Sequence, residues 1–393
     1  MKLKPIFTFV LEIIFNLFKI NKHVVVFYSF NGQYNDNPRF ISESLHKYDK
    51  EIQIVWLLNK QSWDVAPSYV KKIKVGTIKS LFYSSIAAVF VDNYTGKHTF
   101  RFKKNVPAFF KLLKRKKQLN ISTWHGTPFK KIHNDISGIK MTDKTCFTTC
   151  DYFCSGNKFL SKIIYNSLPN KIKILEIGSP RNDVLLRAKN ESKKLTYKEQ
   201  CGYPKEKKVL LYAPTFRENK DGCELKELTP DNVRRLLDAC SKKFGGEWVI
   251  SLRIHPGIFG NKAYSNLSFS ECEEFVDGNI EQEMAFHLIA CDALLTDYSG
   301  SMFDACYLNI PCFLYANDFD NYSHYERGLY FALDELPFGF ANSWDELIAC
   351  ILSFEEEKFV IKKNRFLNLI GNQETGNSCD KICEIILRYL KTI

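Results

Sequence analysis

Short apolar runs alternate along this chain with stretches whose apolar positions recur every three or four residues. That alternation is the signature of parallel sheets covered by helices on both faces. In the first half it predicts strands at 23–28, 52–58, 87–92, 119–124, 152–155 and 172–178, with helices between several of them, as over 37–48 and 157–167. The stretch 188–208 is polar and lysine-rich, has little to bury, and reads as a linker. The pattern then restarts, with strands at 208–213, 247–255, 274–277, 292–296 and 311–315 and helices near 230–243, 281–290 and 301–308. Residues 355–393 read as mostly helical and are expected to pack back across the domain junction. A length of 393 residues suits two domains better than one core. The expectation is an α/β chain of two doubly wound domains over 23–190 and 205–370, with an apolar segment 1–22 before them and a helix 371–393 after.

Two histidines sit where such strands end. His125 lies in Trp124-His125-Gly126-Thr127-Pro128-Phe129-Lys130-Lys131 and His255 in Leu252-Arg253-Ile254-His255-Pro256. In open α/β sheets, ligands bind in the crevice beyond the carboxyl ends of the strands, so the two loops imply a cleft with chemistry on both walls. Three arginines also follow strands: Arg181 in Gly178-Ser179-Pro180-Arg181-Asn182-Asp183, Arg217 after Ala213-Pro214-Thr215-Phe216, and Arg253. A guanidinium fork donates paired hydrogen bonds to an oxyanion, which makes these candidate phosphate clamps. The turn Thr296-Asp297-Tyr298-Ser299-Gly300-Ser301, running into a helical pattern that contains Asp304, offers helix-start amides and hydroxyls to an anion, or else is an ordinary helix cap.

The formal charge of +11 calls for an anionic partner without choosing one. Segment 5–20 is apolar, too short to span a bilayer, and flanked by Lys2, Lys4, Lys19 and Lys22. It reads either as an interfacial helix on an anionic membrane or as a first helix packed on the protein's own sheet. Lys103, Lys104, Lys111, Lys114, Arg115, Lys116 and Lys117, interleaved with Phe109, Phe110, Leu112 and Leu113, suit an acidic lipid surface, with a solvated charged loop as the plain alternative. No nucleic-acid-binding module is recognisable, so nucleic acid is not expected as a partner. The thirteen cysteines carry no secretion signal with them and read as reduced, including the evenly spaced Cys146, Cys150 and Cys154.

Taken in order, Trp-His-Gly-Thr-Pro-Phe-Lys-Lys, Gly-Ser-Pro-Arg-Asn-Asp, Tyr-Ala-Pro-Thr-Phe-Arg, Leu-Arg-Ile-His-Pro, Thr-Asp-Tyr-Ser, Phe-Asp and Arg327-Gly328-Leu329-Tyr330 resemble the motifs of the CDP-glycerol glycerophosphotransferase family, the teichoic-acid primases, polymerases and their capsule relatives, over residues 23–370. The resemblance implies a GT-B architecture, two Rossmann-like domains with a catalytic cleft between them. It also implies a peripheral place on the cytoplasmic face of the plasma membrane, an N-terminal domain that holds a lipid-linked acceptor and a C-terminal one that holds CDP. It puts the essential histidines at His125 and His255 and donor contacts at Arg181, Pro214, Thr215, Arg253, Asp297, Ser299 and Asp304. Gly126, Thr127, Arg217, Thr296 and Ser301 join the candidate donor site from the same loops. The chain departs from the family where a second serine is usual and Gly300 stands instead, with Ser301 one place on. Phe129 and Phe216 replace a common Leu and Trp, and His133 stands where glycine is common.

The expected reaction is in-line attack of an acceptor hydroxyl on the distal phosphorus of a CDP-polyol, releasing CMP. Phosphoryl transfer depends on positioning and charge stabilisation more than on covalent help from the protein. His125 is the candidate base and His255 the stabiliser of leaving-group charge, with the roles open to exchange. CDP-glycerol is the expected donor, with CDP-ribitol or a nucleotide sugar as alternatives. No cofactor or protein-bound metal is expected beyond a loosely held Mg²⁺ on the pyrophosphate.

Overall fold

The computed structural model describes residues 13–15, 17–93, 115–136, 150–167, 172–188, 191–215, 227–254, 272–319 and 328–393. The chain divides into two compact units, one of residues 1–125, 140–183 and 373–393, the other of 126–139 and 184–372.

The first unit is built on seven parallel strands: β1 (Asn21–Tyr28), β2 (Gln53–Leu58), β3 (Lys71–Lys74), β4 (Ala87–Asp92), β5 (Leu119–Ser122), β6 (Tyr152–Ser155) and β7 (Lys173–Glu176). Their order is β3-β2-β1-β4-β5-β6-β7. β1 shows why the run is apolar at consecutive positions rather than alternating ones. Val25 and Phe27 face one core with Ile41 and Trp56, while Val24 and Val26 face another with Val55 and Phe90. A strand covered on both faces has no solvent side to place a polar residue on. The C-terminal helix Ser378–Leu390 returns to this unit and packs on helix Asp36–Tyr48, burying Ile382, Cys383 and Ile386 completely.

The second unit repeats the plan with β8 (Lys208–Ala213), β9 (Trp248–Leu252), β10 (Phe275–Asp277), β11 (Ala293–Thr296), β12 (Cys312–Tyr315) and β13 (Gly339–Ala341), ordered β10-β9-β8-β11-β12-β13, all parallel. Both orders are the Rossmann one, with a switch point between β1 and β4 in the first sheet and between β8 and β11 in the second. At those points Tyr28 pairs with Asp92 and Ala213 with Thr296, so the loops after these residues emerge side by side.

Two edge strands go beyond the sequence expectation, β3 and β13, of four and three residues. The expected linker is also replaced by packed structure. Residues 191–200 form helix Glu191–Gln200 of the second unit, where the Lys194 ammonium pairs with Asp292 at 2.6 Å, Lys198 donates to the Lys207 carbonyl at 2.6 Å, and the Tyr197 ring lies 4.8 Å from Phe286. Cys201 and Tyr203 behind it are buried. Helix Ser301–Ala305 is shorter than expected and continues as a 3-10 turn over Cys306–Leu308. Cys150 and Cys154 are buried free thiols, with burial raising the Cys154 pKa to about 12, while Cys146 lies outside the described residues.

Truncating a fully buried isoleucine loses transfer free energy and leaves a cavity, so Ile386→Ala is expected to destabilise the first unit by about 2–5 kcal/mol. The loss would be read as a lowered urea midpoint for the near-ultraviolet signal of Trp56, which shares that core.

Candidate active site

His125 follows β5 and is exposed. Its Nδ1 lies 2.9 Å from the backbone carbonyl of Asn93, the residue after β4. A ring nitrogen facing a carbonyl oxygen carries the proton, so Nδ1–H donates and Nε2 keeps its lone pair. Water reaches the residue, yet enough protein surrounds the ring for desolvation to lower its pKa below the usual 6.5. The Arg181 charge works in the same direction, while the Asn93 carbonyl and the Asp36 carboxylate oppose it. The result is a neutral imidazole at physiological pH, the form able to accept a proton. Trp124 stacks on the His125 ring at 4.2 Å and holds a left-handed backbone, φ 53°.

Around it the first sheet's switch point is densely hydrogen-bonded. The Asn93 amide donates to Asp36 Oδ2 at 2.6 Å and to Ser29 Oγ at 2.9 Å. Asp36 Oδ1 accepts from the Arg181 guanidinium at 3.0 Å. Asn37 donates to the carbonyls of Thr123 and Trp124 and accepts from the Arg181 backbone N–H at 2.9 Å. Glu374 in turn accepts from the Ser179 N–H at 2.9 Å and from the Asn182 amide at 3.0 Å, so a carboxylate already satisfies the start of helix Pro180–Arg187. Arg181, a candidate donor contact of the N-terminal half, lies in the unit that carries His125 and is paired with Asp36.

In the second unit, Thr215 and Asp297 bridge the switch point after β8 and β11. The Thr215 N–H donates to both Asp297 oxygens at 3.0 Å, and its hydroxyl donates to Oδ1. Pro214 ends β8 ahead of them. Ser301 Oγ donates to Ser299 Oγ at 3.0 Å, and Asp304 is buried in the short helix behind. Segment 126–136 belongs to this unit. Gly126 takes φ 114°, Thr127 is buried, and Lys130 bridges to Leu329. The Tyr330 hydroxyl donates to Asp135 at 2.7 Å, and Phe129 meets Phe303 edge to face at 6.3 Å. His133 is left-handed, φ 54°, which accounts for the glycine common at that position in the family.

Two donor candidates are committed elsewhere. The Thr296 hydroxyl is fully buried and donates to the Ala213 carbonyl at 2.7 Å, tying the strands together below the turn. The Arg253 guanidinium donates to the carbonyls of Gly278 at 2.9 Å, Glu281 at 2.6 Å and Gln282 at 2.7 Å, and lies 2.9 Å from His287 Nε2. These bonds hold the 278–283 loop. His255, Arg217, Lys103, Lys104, Lys111 and Lys114 lie outside the described residues. Lys116 and Lys117 are exposed, while Arg115 donates to the Ser85 carbonyl at 3.1 Å. Among the described residues no group of three or more His, Cys, Asp or Glu side chains is placed to hold a metal. The sequence reading missed Asp36 and Asn93. Their signal was present as the polar clusters Asn35-Asp36-Asn37 and Asp92-Asn93 directly beyond two strands, which resemble ordinary turn and cap residues.

Two Rossmann-ordered sheets, each with polar side chains gathered at its switch point, define a GT-B-type protein. The chain belongs to the CDP-Glycerol:Poly(glycerophosphate) glycerophosphotransferase family, whose model matches residues 10–388. It is 32% identical to a teichoic acid poly(glycerol phosphate) polymerase of Staphylococcus epidermidis, over 95% of this chain but only 51% of that protein. It is 26% identical to a protein of the same name from Bacillus spizizenii, over 98% of both chains. The chain therefore spans about half the length of one relative and nearly all of the other. The solved structure of the wall teichoic acid polymerase TagF superimposes with a TM-score of 0.80 at 26% identity, covering 97% of this chain and 93% of that one. A poly(ribitol-phosphate) polymerase matches only 54% of this chain.

The buried His287 gives a pH signature. Desolvation, reinforced by the Arg253 charge, lowers its pKa to about 3 from 6.5. Between those values the unfolded chain binds a proton that the folded one does not, so its contribution is complete above 6.5 and is lost progressively as pH falls towards 3. Lowering pH from 7 to 5 is expected to cost about 2 kcal/mol at this residue. His287→Gln should flatten that part of the decline in urea midpoint.

Proposed function

We propose that this chain transfers glycerol phosphate from CDP-glycerol to a hydroxyl of a membrane lipid-linked acceptor in teichoic-acid or capsule-type polymer synthesis, releasing CMP. The observation that carries the reading is His125, an exposed imidazole held with Nε2 unprotonated at the carboxyl end of a parallel sheet. The acceptor hydroxyl gives its proton to Nε2 while its oxygen forms a bond to the distal phosphorus, and the bond from that phosphorus to the CMP oxygen breaks. Thr215, Ser299, Ser301 and neighbouring amides stand at the second sheet's switch point, where doubly wound folds bind nucleotide phosphates. In the proposal Arg217 and His255 add positive charge to the pyrophosphate. The reaction needs no resident cofactor, and a Mg²⁺ ion would travel with the pyrophosphate. A match to a poly(glycerol phosphate) polymerase over 98% of both chains, against a match to a ribitol one over 54% of this chain, supports glycerol as the polyol.

The N-terminal surface supports an acceptor at the membrane. Phe15 and Phe18 pack edge to face on Phe82, at 6.0 and 5.2 Å, so this segment rests on its own unit. Ile13, Ile14 and Leu17 remain exposed beside the exposed Lys19 and Lys22. An apolar edge with a basic flank suits a peripheral place on an anionic leaflet at the cytoplasmic face. Among the described residues no helix is long and apolar enough to cross a membrane.

CMP release from CDP-glycerol, CDP-ribitol and nucleotide sugars, assayed with a membrane fraction, tests the reaction. CDP-glycerol is expected to be turned over fastest, and His125→Gln should lower kcat by roughly 10²-fold with little change in donor affinity. Release from CDP-ribitol alone, or undiminished turnover in the variant, would overturn the assignment. On vesicles rich in anionic lipid, the full chain should be displaced by raising salt from 0.1 to 1 M, over which the screening length shrinks from about 10 to 3 Å. Co-sedimentation indifferent to salt would remove the electrostatic part of the proposal.

A further inference from the structure

Asp36 holds three elements of the first unit at once. Its Oδ2 accepts from Asn93 Nδ2 at 2.6 Å, and its Oδ1 accepts from Arg181 at 3.0 Å and from the Asn37 N–H at 2.8 Å. The other amide proton of Asn93 goes to Ser29, and its Oδ1 accepts from the Phe30 N–H at 3.1 Å. Asn93 therefore has its side chain anchored in the loop after β1 while its carbonyl faces His125. Asp36 has φ 59°, a conformation that glycine adopts without strain and that asparagine and aspartate tolerate. An aspartate at this position adds a charge and two acceptor oxygens, and both oxygens are used.

We propose that Asp36 is a positioning residue: by tying Asn93 to Arg181 it holds the Asn93 carbonyl where it keeps the proton of His125 on Nδ1 and the lone pair that takes the acceptor's proton on Nε2. This inference rests on His125 being the proton acceptor. It matches the general role of a group behind a catalytic histidine, which sets the tautomer without touching substrate. The charged groups bearing on the ring are Asp36, which favours the imidazolium, and Arg181, which opposes it. Loss of the carboxylate thus removes a charge that opposes Arg181.

Histidine-selective ¹⁵N labelling of the full-length chain, with the His125 signals assigned by their absence in His125→Gln, reads the tautomer directly. In the wild type His125 should be protonated at Nδ1. In Asp36→Asn, and in Asp36→Gly, which keeps the backbone conformation without strain, the Nε2–H form should rise at least tenfold relative to Nδ1–H. The same variants should lose roughly tenfold or more in kcat with CDP-glycerol at unchanged KM. The acid limb of their pH profile should move to lower pH. An unaltered tautomer in both variants would overturn the proposal, whatever their stability. A wild-type chain that releases no CMP from CDP-glycerol would instead sink the reaction assigned above, while the tautomer comparison still decides the role of Asp36.

Discussion

A parallel strand covered on both faces has no solvent side for polar groups, so most of its polar chemistry collects at and beyond its carboxyl end, and this constraint organises both units. β4, β8 and β11 are buried over nearly their whole length and β1 from Val24 to Phe27, and the residues that hydrogen-bond in earnest begin just beyond these strands: Ser29, Asn93, Thr215 and Asp297. Each sheet reverses its winding between two of these strands, so the polar loops that follow them lie side by side and satisfy one another. In the first unit the result is the Asp36–Asn93–Arg181 cluster behind His125. In the second it is the threonine–aspartate bridge beneath the serine turn. The chemistry sits where it does because the core excludes it from everywhere else.

Left-handed backbone outside glycine falls mainly in the loops after β1 and β5, with Asn309 before β12 the further case among the described residues. Asn31, Asp36, Trp124 and His133 all hold left-handed conformations without being glycine, at a cost of roughly 1–2 kcal/mol each. Near His125 that cost is offset by specific contacts. Asp36 takes three hydrogen bonds, and Trp124 is buried with its carbonyl accepting from Asn37 at 3.0 Å. The left-handed Trp124 immediately precedes His125, and its indole lies against the imidazole. A residue held this way restricts the ring it supports, which is how strain at a site becomes preorganisation.

The sheets were legible because burial on both faces writes continuous apolar runs into the sequence. Strand 87–92 was placed without error for that reason, whereas β3 escaped because Lys71-Lys72-Ile73-Lys74 buries only Ile73, and β13 because three residues carry almost no pattern. The lysine-rich stretch taken for a linker shows the opposite failure. Its helix binds the second unit through lysine head groups on Asp292 and the Lys207 carbonyl, a mode of packing invisible to a count of apolar residues. His125 was legible as a residue type, but its partner was not, since the contact is a backbone carbonyl that any residue would supply. The carbonyl partners of Arg253 were not legible, because an arginine after a strand looks the same whether or not its fork meets backbone carbonyls.

Gly300 gives the departure from the family's paired serines a physical reason. A Cβ at that position would stand 2.9 Å from the Thr127 carbonyl oxygen, so glycine permits a backbone-to-backbone approach that serine would force apart. The segment that follows His125 in sequence is seated on the second unit through this approach, through the Lys130–Leu329 bridge and through Phe129 against Phe303. The hydroxyl missing from position 300 reappears at Ser301, whose Oγ bonds Ser299 directly. Glycine at 300 with serine at 301 thus admits the Thr127 carbonyl while keeping a pair of hydroxyls at the turn.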